Sequence, residues 1–461
     1  MGMAGTITKD VFLHPFKGVD FMKKCRLEPE ACKTGWAIII WILVFQNPLQ
    51  TIWNPFSYID EVIALIGACL GLFDILVVRK GRPSKDQLWM GIPLLMFTVI
   101  GLTGNLIYRY QPLKCVIIDL FTNLKFFFAI GAGYYLFISL DWEEIKTTAQ
   151  RNGRMITLCL FALFLADRIF HIWPSEVRYG IPSAVLIYAH PTYLAGAMSF
   201  LLMLLTVFYD KKNKPYLAMA VGIMAFTFRA KAVVSAVMYI LMYVFFLLLN
   251  WRLKLWHVVV AGAGSIAIAW EKIRYYFVDL AGTSARSILL QKSFLVMRDH
   301  FPIGSGFGTY GSAEAAEHYS SVYIKYGLNN YYDTRDVRDI ENSLRLIQKS
   351  EYHAEKFKTS PDRILYHGAN LMDHFWPTVF GQTGALGTIV YVSALGVLVK
   401  RCFDIENYDL YAYTGSLFAL LYLFVSSLAE PAFFNAVAVP LALVMGIVFC
   451  YMDKVKHDDI S

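Results

Sequence analysis

Apolar runs of about twenty residues recur along this chain and are separated by short charged stretches. A helix of roughly twenty apolar residues crosses about 30 Å of hydrocarbon, which predicts about twelve membrane spans. The predicted spans are residues 36–53, 60–78, 88–105, 113–140, 155–172, 185–208, 215–229, 232–250, 255–270, 375–399, 411–428 and 432–452. The pattern therefore predicts an all-α polytopic membrane protein.

The seventh and eighth predicted spans form one apolar run from Pro215 to Asn250. A single helix of that length would measure about 54 Å, which is too long for one crossing. A tight reversal near Arg229-Ala230-Lys231 is therefore predicted, at the end of a membrane hairpin.

A polar segment interrupts the apolar pattern between the ninth and tenth spans. Residues 272–372 hold 13 Lys or Arg and 11 Asp or Glu, and such a segment cannot lie in lipid because its charges would go unpaired. We predict a large, partly helical extramembrane loop that forms the lid and part of an active site. The predicted division of the chain has five parts. Residues 1–35 form a cytoplasmic interfacial segment, 36–271 hold spans one to nine, and 272–372 form the large loop. Residues 373–452 hold spans ten to twelve, and 453–461 form a cytoplasmic tail.

Composition and charge agree with a membrane protein and give its orientation. The chain is 57% hydrophobic with a mean hydropathy of +0.47 and a net charge of +7. With the N-terminus inside, the inner loops carry 14 basic residues and the short outer loops carry 6. Because basic residues concentrate on the cytoplasmic side, both termini are predicted inside and the large loop outside. The seven cysteines show no CxxC spacing, and most are expected to be inert thiols in the core or facing lipid.

Arg229 and Lys231 lie on the predicted outer side of the membrane, although most of the basic loop residues lie on the inner side. Cations at the membrane edge usually face a cavity or an anionic partner. One interpretation is a phosphate clamp, since Arg offers a two-pronged donor and Lys a point charge. The alternative is that both side chains extend to outer headgroups.

Other charged residues also need partners. Lys125 and Asp119 share the fourth span, but they are six positions apart, and side chains on one helix face meet only at spacings of three or four. Each is therefore expected to find a partner on another helix. Three acidic residues on the outer side are predicted to be supporting charges rather than catalytic groups, namely Asp60, Glu61 and Glu430. Their expected partners are the outer arginines Arg109, Arg168 and Arg229. His190, at the start of the sixth span, is expected to be a hydrogen-bonding residue rather than a base.

The large loop begins with a predicted helix and a glycine-rich turn. Ser284 can cap a helix that carries Arg286 and ends near Asp299, because Pro302 follows. This helix is expected to lie on the membrane surface. The GxGxxG of Gly306–Gly311 has no strand before it and is not interpreted as a dinucleotide site. It predicts a turn that approaches a ligand or another helix.

Aromatic and titratable residues complete the candidate site. Aromatic rings stack on sugars, although the same residues also mark membrane interfaces. The candidate glycan-binding residues are Tyr310, Tyr319, Tyr323 and Trp376. His367, Asp373 and His374 lie within eight residues of one another. Their spacing does not favour a metal site, and a general base with an orienting neighbour fits better.

Several of these motifs resemble a known family. They are Arg286, Pro302-Ile303-Gly304-Ser305-Gly306-Phe307-Gly308, and Asp373-His374-Phe375-Trp376-Pro377 followed by Gly381-Gln382-Thr383-Gly384. They resemble the O-antigen ligase and Wzy-type polysaccharide polymerase superfamily of bacterial membrane glycosyltransferases of the GT-C type. The Asp-x-x-Trp-Pro pattern, with Gln382 where ligases carry Glu, favours a polymerase.

The resemblance implies a function and a location. A glycan would pass from an undecaprenyl-diphosphate-linked donor to the sugar hydroxyl of a lipid-linked acceptor, outside the bacterial cytoplasmic membrane. The reaction would invert the anomeric carbon and need no metal or nucleotide cofactor. Arg286, Arg229 and Lys231 would bind diphosphate, with Asp373, His367 or His374 as base. Expected partners are the lipid-linked oligosaccharide, membrane lipid and a chain-length regulator, with no nucleic acid.

Two other functions remain open. An O-antigen ligase would use the same fold with lipid A-core as acceptor. A flippase for lipid-linked oligosaccharide would also have about twelve spans, but it would normally show two related halves and short outer loops. Neither feature is present in this sequence.

Overall fold

The computed structural model describes residues 29–138, 140–174, 177–178, 180–251, 274, 285–317, 320–326, 328 and 374–458. Within these residues the chain is helical apart from turns and one two-stranded hairpin, Val177–Arg178 with Ile181–Pro182. The long helices are α1 Pro29–Ile52, α2 Ile59–Phe73, α3 Lys85–Tyr108, α4 Leu113–Leu136, α5 Trp142–Phe170, α6 Pro191–Val207, α7 Lys214–Ala225 and α8 Ala230–Met242, then α9 Ala285–Asp299, α12 Phe375–Ile405, α13 Leu410–Ser427 and α14 Ala438–Asp458. Two short helices lie between α9 and α12, namely α10 Ala313–Glu317 and α11 Ser321–Lys325.

Eleven of the twelve predicted spans coincide with a helix. The remaining one, the ninth span at 255–270, lies outside the described residues. Eight of the described helices are long and apolar enough to cross a membrane. The helices α5, α6 and α7 are not among these eight: α6 and α7 have only 17 and 12 residues. The protein is therefore an all-α membrane protein, and the total of twelve crossings stays a prediction.

Helix ends differ from the predicted spans where polar turns continue a helix. The fifth helix begins at Trp142 rather than near 155, because Ile145, Ala149 and Ile156 place a buried face along charged first turns. The last helix begins at Ala438 rather than at 432, since turns occupy the residues after Pro431. The predicted reversal is confirmed: α7 ends at Ala225 and α8 begins at Ala230.

The centre of the bundle is formed by α4, α6, α13 and α14. All of the residues of α6 from Leu194 to Val207 are buried. The fourth helix packs between α2 and α14, and small residues let the backbones approach closely. A Cβ at Gly133 would overlap the Leu443 carbonyl oxygen of α14, so a larger residue there would push these helices apart.

The start of the large loop forms a small core of its own. Its buried side chains come from α9, the glycine-rich turn and α11, and they are Ile288, Leu289, Val296, Tyr310, Ala315, Val322, Tyr323 and Leu328. The ninth helix packs on α12, where the Phe294 and Phe380 rings stack with centroids 5.5 Å apart. The predicted helix of the loop is thus present, at Ala285–Asp299.

Candidate functional site

Lys125 lies in the interior of the bundle with its charge compensated by two carboxylates. Its Nζ donates to Asp60 Oδ2 at 2.5 Å and to Glu61 Oε1 at 3.1 Å, both in the first turn of α2. Asp60 also accepts a hydrogen bond from Gln46 Nε2 at 2.8 Å. The side chains of Lys125 and Asp60 are 5% and 2% exposed, whereas that of Glu61 is 41% exposed. The cation is therefore held by one buried carboxylate and by a second that reaches a more open space.

This pairing confirms one expectation and corrects another. Lys125 does find its partner on another helix, as predicted. Asp60 and Glu61 pair with Lys125, so the expected pairing with Arg109, Arg168 or Arg229 is wrong. Arg168 instead donates to Asp167 Oδ2 and to the Pro182 carbonyl oxygen, both at 2.6 Å.

The reversal between α7 and α8 carries a second group of charges. Arg229 is the residue before α8, and its Nη2 lies 2.6 Å from His190 Nε2. A guanidinium has only donors, so this contact is a hydrogen bond only where Nε2 presents its lone pair; Nδ1 of the same ring lies 3.2 Å from the Thr192 backbone nitrogen. His190 therefore acts as a hydrogen-bonding residue, as predicted, and it also precedes the first turn of α6.

Lys231 forms an ion pair with Glu430, which follows the end of α13. The two side chains are 11% and 20% exposed, so the pair is largely removed from solvent. Glu430 was expected to pair with an outer arginine, and that expectation is wrong. The ion pair joins the α7–α8 reversal to the connection between α13 and α14.

The two charged groups lie at the same end of the bundle and share neighbours. Asn47, next to Gln46 on α1, accepts a hydrogen bond from the backbone of Ala189 at 3.0 Å. Ala189 in turn precedes His190. A second link joins Phe126, which follows Lys125, to Phe433, which lies three residues after Glu430: their ring centroids are 5.2 Å apart. We call this set the polar cluster, and its members are Gln46, Asn47, Asp60, Glu61, Lys125, His190, Arg229, Lys231 and Glu430.

The first turn of α12 lies beside the polar cluster. Phe375 touches Phe433 with ring centroids 5.0 Å apart, and Trp376 Nε1 donates to Ser427 Oγ at 3.1 Å. Ser427 ends α13, a few residues before Glu430. His374 is the buried N-cap residue of α12. Residues 374–376, which follow the predicted base Asp373 in the sequence, therefore lie against the end of α13 and the connection after it, which also carries Glu430.

A break in α12 holds the glycine-rich turn of the loop. Gly384 has φ 63° and ψ −160° in the middle of the helix. The backbone of Gly306 donates to the Gln382 carbonyl oxygen at 2.8 Å, and Leu386 donates to the Pro302 carbonyl oxygen at 3.2 Å. A Cβ at Gly304 would overlap the backbone nitrogen of Gly384. The turn thus approaches another helix, which is one of the two predicted alternatives.

The same turn is fixed to α3 and α4. Asn105 of α3 bonds both backbone groups of Phe307: its Nδ2 donates at 2.9 Å and its Oδ1 accepts at 2.8 Å. Asp119 of α4 is buried and accepts from the Gly308 backbone at 2.8 Å. Asp119 also accepts from Asn123 Nδ2 of its own helix at 3.1 Å and makes a hydrogen-bonding contact with the Gln382 side chain of α12, so the expected partner on another helix is present beside the loop backbone. The loop therefore begins as a fixed part of the bundle.

Two of the predicted glycan-binding residues are buried in the core of the loop. Tyr310 and Tyr323 are 0% exposed. The Tyr310 hydroxyl donates to the Leu289 carbonyl oxygen at 2.5 Å, and the Tyr323 hydroxyl accepts from the Gly311 backbone at 2.9 Å. Neither ring has a face open to a sugar, so the prediction that they bind glycan is not supported. Both stabilise the loop.

Four predicted site residues cannot be placed by their side chains. Tyr319, His367 and Asp373 lie outside the described residues, and Arg286 is described only as part of the backbone of α9. Among the described residues no group of three His, Cys, Asp or Glu side chains could hold a metal ion. Since His367 and Asp373 are outside this set, a metal-free site stays a prediction.

Sequence reasoning missed three members of the polar cluster. Gln46 and Asn47 lie in an apolar run on α1 and carry no charge. The one feature of the sequence that could have pointed to them is that two adjacent amide side chains lie within a predicted span, where polar groups need partners. His190 was noticed, but nothing in the sequence placed it beside Arg229.

No family model matches this chain, and no curated protein matches it either. The resemblance to the ligase and polymerase superfamily therefore stays a prediction from the motifs.

Proposed function

We propose that this protein is a membrane glycosyltransferase that polymerises lipid-linked glycan. The donor would be a glycan on a lipid diphosphate, and the acceptor the sugar hydroxyl of a second lipid-linked glycan. The observation that carries the proposal is the polar cluster, in which Arg229, Lys231 and Lys125 lie at one end of an apolar bundle. Lys125 is buried, Arg229 and Lys231 are partly buried, and ionisable side chains within a membrane are expensive and usually functional.

The cations suit a departing diphosphate. When the bond between the sugar and the diphosphate breaks, negative charge grows on the leaving oxygen, and cations already in place stabilise it without reorganisation. Arg229 and Lys231 lie two positions apart at one reversal, on either side of Ala230, and in the proposed complex both would contact the lipid-anchored diphosphate. Glu430 neutralises Lys231, and a bound diphosphate would compete with this carboxylate for the ammonium group.

The proposed step is a single displacement. The acceptor hydroxyl oxygen forms a bond to the anomeric carbon while the bond from that carbon to the diphosphate oxygen breaks. The electron pair of the broken bond leaves with the lipid diphosphate. The hydroxyl proton passes to a base, for which the candidates are Asp373, His367 and His374. Attack from the face opposite to the leaving group inverts the anomeric configuration.

The test is incubation of purified protein with a defined lipid-diphosphate-linked repeat unit, scored for product size. A ladder of products supports polymerisation. A single addition to lipid A-core would instead indicate the ligase, and movement of the glycan across a vesicle membrane without new bonds would indicate the flippase.

Substitution at the reversal tests the role of the cations. Lys231→Met together with Glu430→Gln removes both charges of the ion pair, so neither member of that pair is left as an uncompensated charge. We expect this double variant to fold and to lose a factor of about 10²–10³ in rate, as for loss of one transition-state donor. Lys114→Met is the matched control, because Lys114 is an exposed cation at the start of α4. Full activity of the double variant would refute the proposed site.

A further inference from the structure

The opposite end of the bundle contains a cavity that the proposed reaction does not use. It measures about 430 Å³, within the usual range of about 300–1,000 Å³ for ligand sites. Its lining residues are Tyr209, Asp210, Lys211, Lys214, Tyr243, Leu247, Leu248 and Tyr411. These come from the end of α6, the start of α7, the end of α8 and the start of α13, all on the predicted cytoplasmic side.

The aromatic wall of the cavity is built from three tyrosines on three elements. The Tyr209 and Tyr411 rings stack with centroids 4.1 Å apart and 7° between their planes. Tyr243 belongs to a π-helical turn, Tyr243–Leu248, which continues α8. All three are partly exposed, and the Tyr209 and Tyr243 hydroxyls are hydrogen-bonded to each other, which leaves the proton of one of these two and that of Tyr411 for a ligand.

The charge of the cavity is positive. Asp210 is the one acidic lining residue, and it is already paired with Arg154 at 2.7 Å. Arg154 also donates to Asn213 Oδ1 at 2.6 Å, so its position is fixed by the short turn Lys211–Asn213. Across the part of the chain that the structure describes, no carboxylate lies within ion-pair distance of the Lys211 or Lys214 ammonium. Two cations therefore face the cavity without a protein counterion in this part.

The remaining wall is apolar and continues into exposed apolar side chains at the end of α8. Leu248 and Leu249 are 57% and 59% exposed, and Trp251 beyond them is 61% exposed. Exposed Leu and Trp side chains at a helix end are typical of the membrane interface. A ligand in the cavity would thus have its charged part near the lysines and an apolar part along Leu247 and Leu248.

We propose that this cavity binds a phosphate group carried by a lipid of the cytoplasmic leaflet. Lys211 and Lys214 supply the charge for the phosphate, the tyrosine hydroxyls supply neutral donors, and Leu247 and Leu248 contact the start of the acyl chains. This site is separate from the polar cluster and does not depend on the proposed reaction.

The test measures the Tm of purified protein in an uncharged detergent with added short-chain lipid. Phosphatidylglycerol is the anionic probe, phosphatidylcholine reports effects of the chains alone, and inorganic phosphate and glycerol phosphate are the soluble probes. We expect a concentration-dependent rise in Tm with phosphatidylglycerol that exceeds the rise with phosphatidylcholine. An equal rise with the soluble probes would support a phosphate site filled from solution and overturn the lipid assignment.

Variants identify the cavity as the site. Each lysine near an anionic headgroup contributes a factor of about five, so Lys211→Gln with Lys214→Gln should weaken the apparent affinity about 25-fold. Lys212→Gln is the matched control, since Lys212 is exposed in the same turn but does not line the cavity. If the double variant does not fold, each single variant should show a five-fold loss. No response to phosphatidylglycerol in the natural protein, or an unchanged response in the lysine variants, would overturn the proposal.

Discussion

Removal of the charge on Lys125 should destabilise the protein far more than removal of a surface charge. In Lys125→Met, Asp60, whose side chain is 2% exposed in the natural protein, loses its cation and keeps the hydrogen bond from Gln46 and the contact with the Glu61 carboxyl group. Breaking a buried pair from one side costs about 3–5 kcal/mol because an uncompensated charge is left behind. Glu61, at 41% exposure, can still be solvated and adds little to this cost.

The double variant Lys125→Met with Asp60→Asn separates this cost from any functional role. It removes both charges and keeps an amide that Gln46 can still bond, so we expect it to recover at least about 2 kcal/mol of the loss. The measurement is the free energy of unfolding in mixed micelles, with Lys114→Met as the surface control, expected within about 0.5 kcal/mol of the natural protein. If Lys125→Met is as stable as the control, the pair is not buried as described. If the double variant is stable but makes no polymer, the pair serves the reaction and not only the fold.

Two further predictions concern the loop. Gly304→Ala should destabilise the protein by about 1–3 kcal/mol more than Gly81→Ala, because both glycines have φ near +75° but only a Cβ at Gly304 would meet backbone; equal Tm values for the two variants would contradict this. His300 is buried, with one ring nitrogen 2.8 Å from the Val296 carbonyl oxygen and the other 3.1 Å from the Tyr110 hydroxyl. Its other neighbours are Tyr108, Asp299, Lys325 and Tyr326. Burial is the main cause that lowers the pKa of His300 from the usual 6.5. A lowered pKa means that the unfolded state binds more protons, so the stabilisation is present above pH 6.5 and is lost as the pH falls through the pKa of the folded state. Proteolysis of the loop should therefore speed up between pH 7 and 5, and His300→Gln should flatten that dependence.

The sequence predicts those features that depend on length and local pattern. The reversal at 226–229 follows because a single helix from Pro215 to Asn250 would be about 54 Å long, which is too long for one membrane crossing. The helix Ala285–Asp299 follows from Ser284 before it and Pro302 after it. Both features need only the geometry of one segment.

The pairing of charges could not be predicted, because it depends on how helices are offset along the membrane normal. Lys125 is twelve positions into α4, yet it meets the first turn of α2. From the sequence, the outer arginines are the expected partners because they belong to the same predicted side of the membrane as Asp60 and Glu61. In the same way, Tyr310 and Tyr323 are buried because the glycine-rich turn and α11 pack together against α9, which no local pattern indicates.

Asn105 tests whether the fixed start of the loop matters for the whole site. Its side chain provides one acceptor and one donor to the backbone of Phe307, and both are lost in Asn105→Leu. Each backbone group left unpaired in a buried place costs about 1–3 kcal/mol, so the turn should detach from α3 although Asp119 and Gln382 still hold it. We expect faster proteolysis within the loop and lower polymer yield, while α3 itself stays intact. Thr103→Val is the matched control, since that hydroxyl bonds only its own helix. If the loop of Asn105→Leu is cleaved no faster than that of the control, the turn does not need this contact to stay in place. Its insertion into the break of α12 would then be enough to hold it.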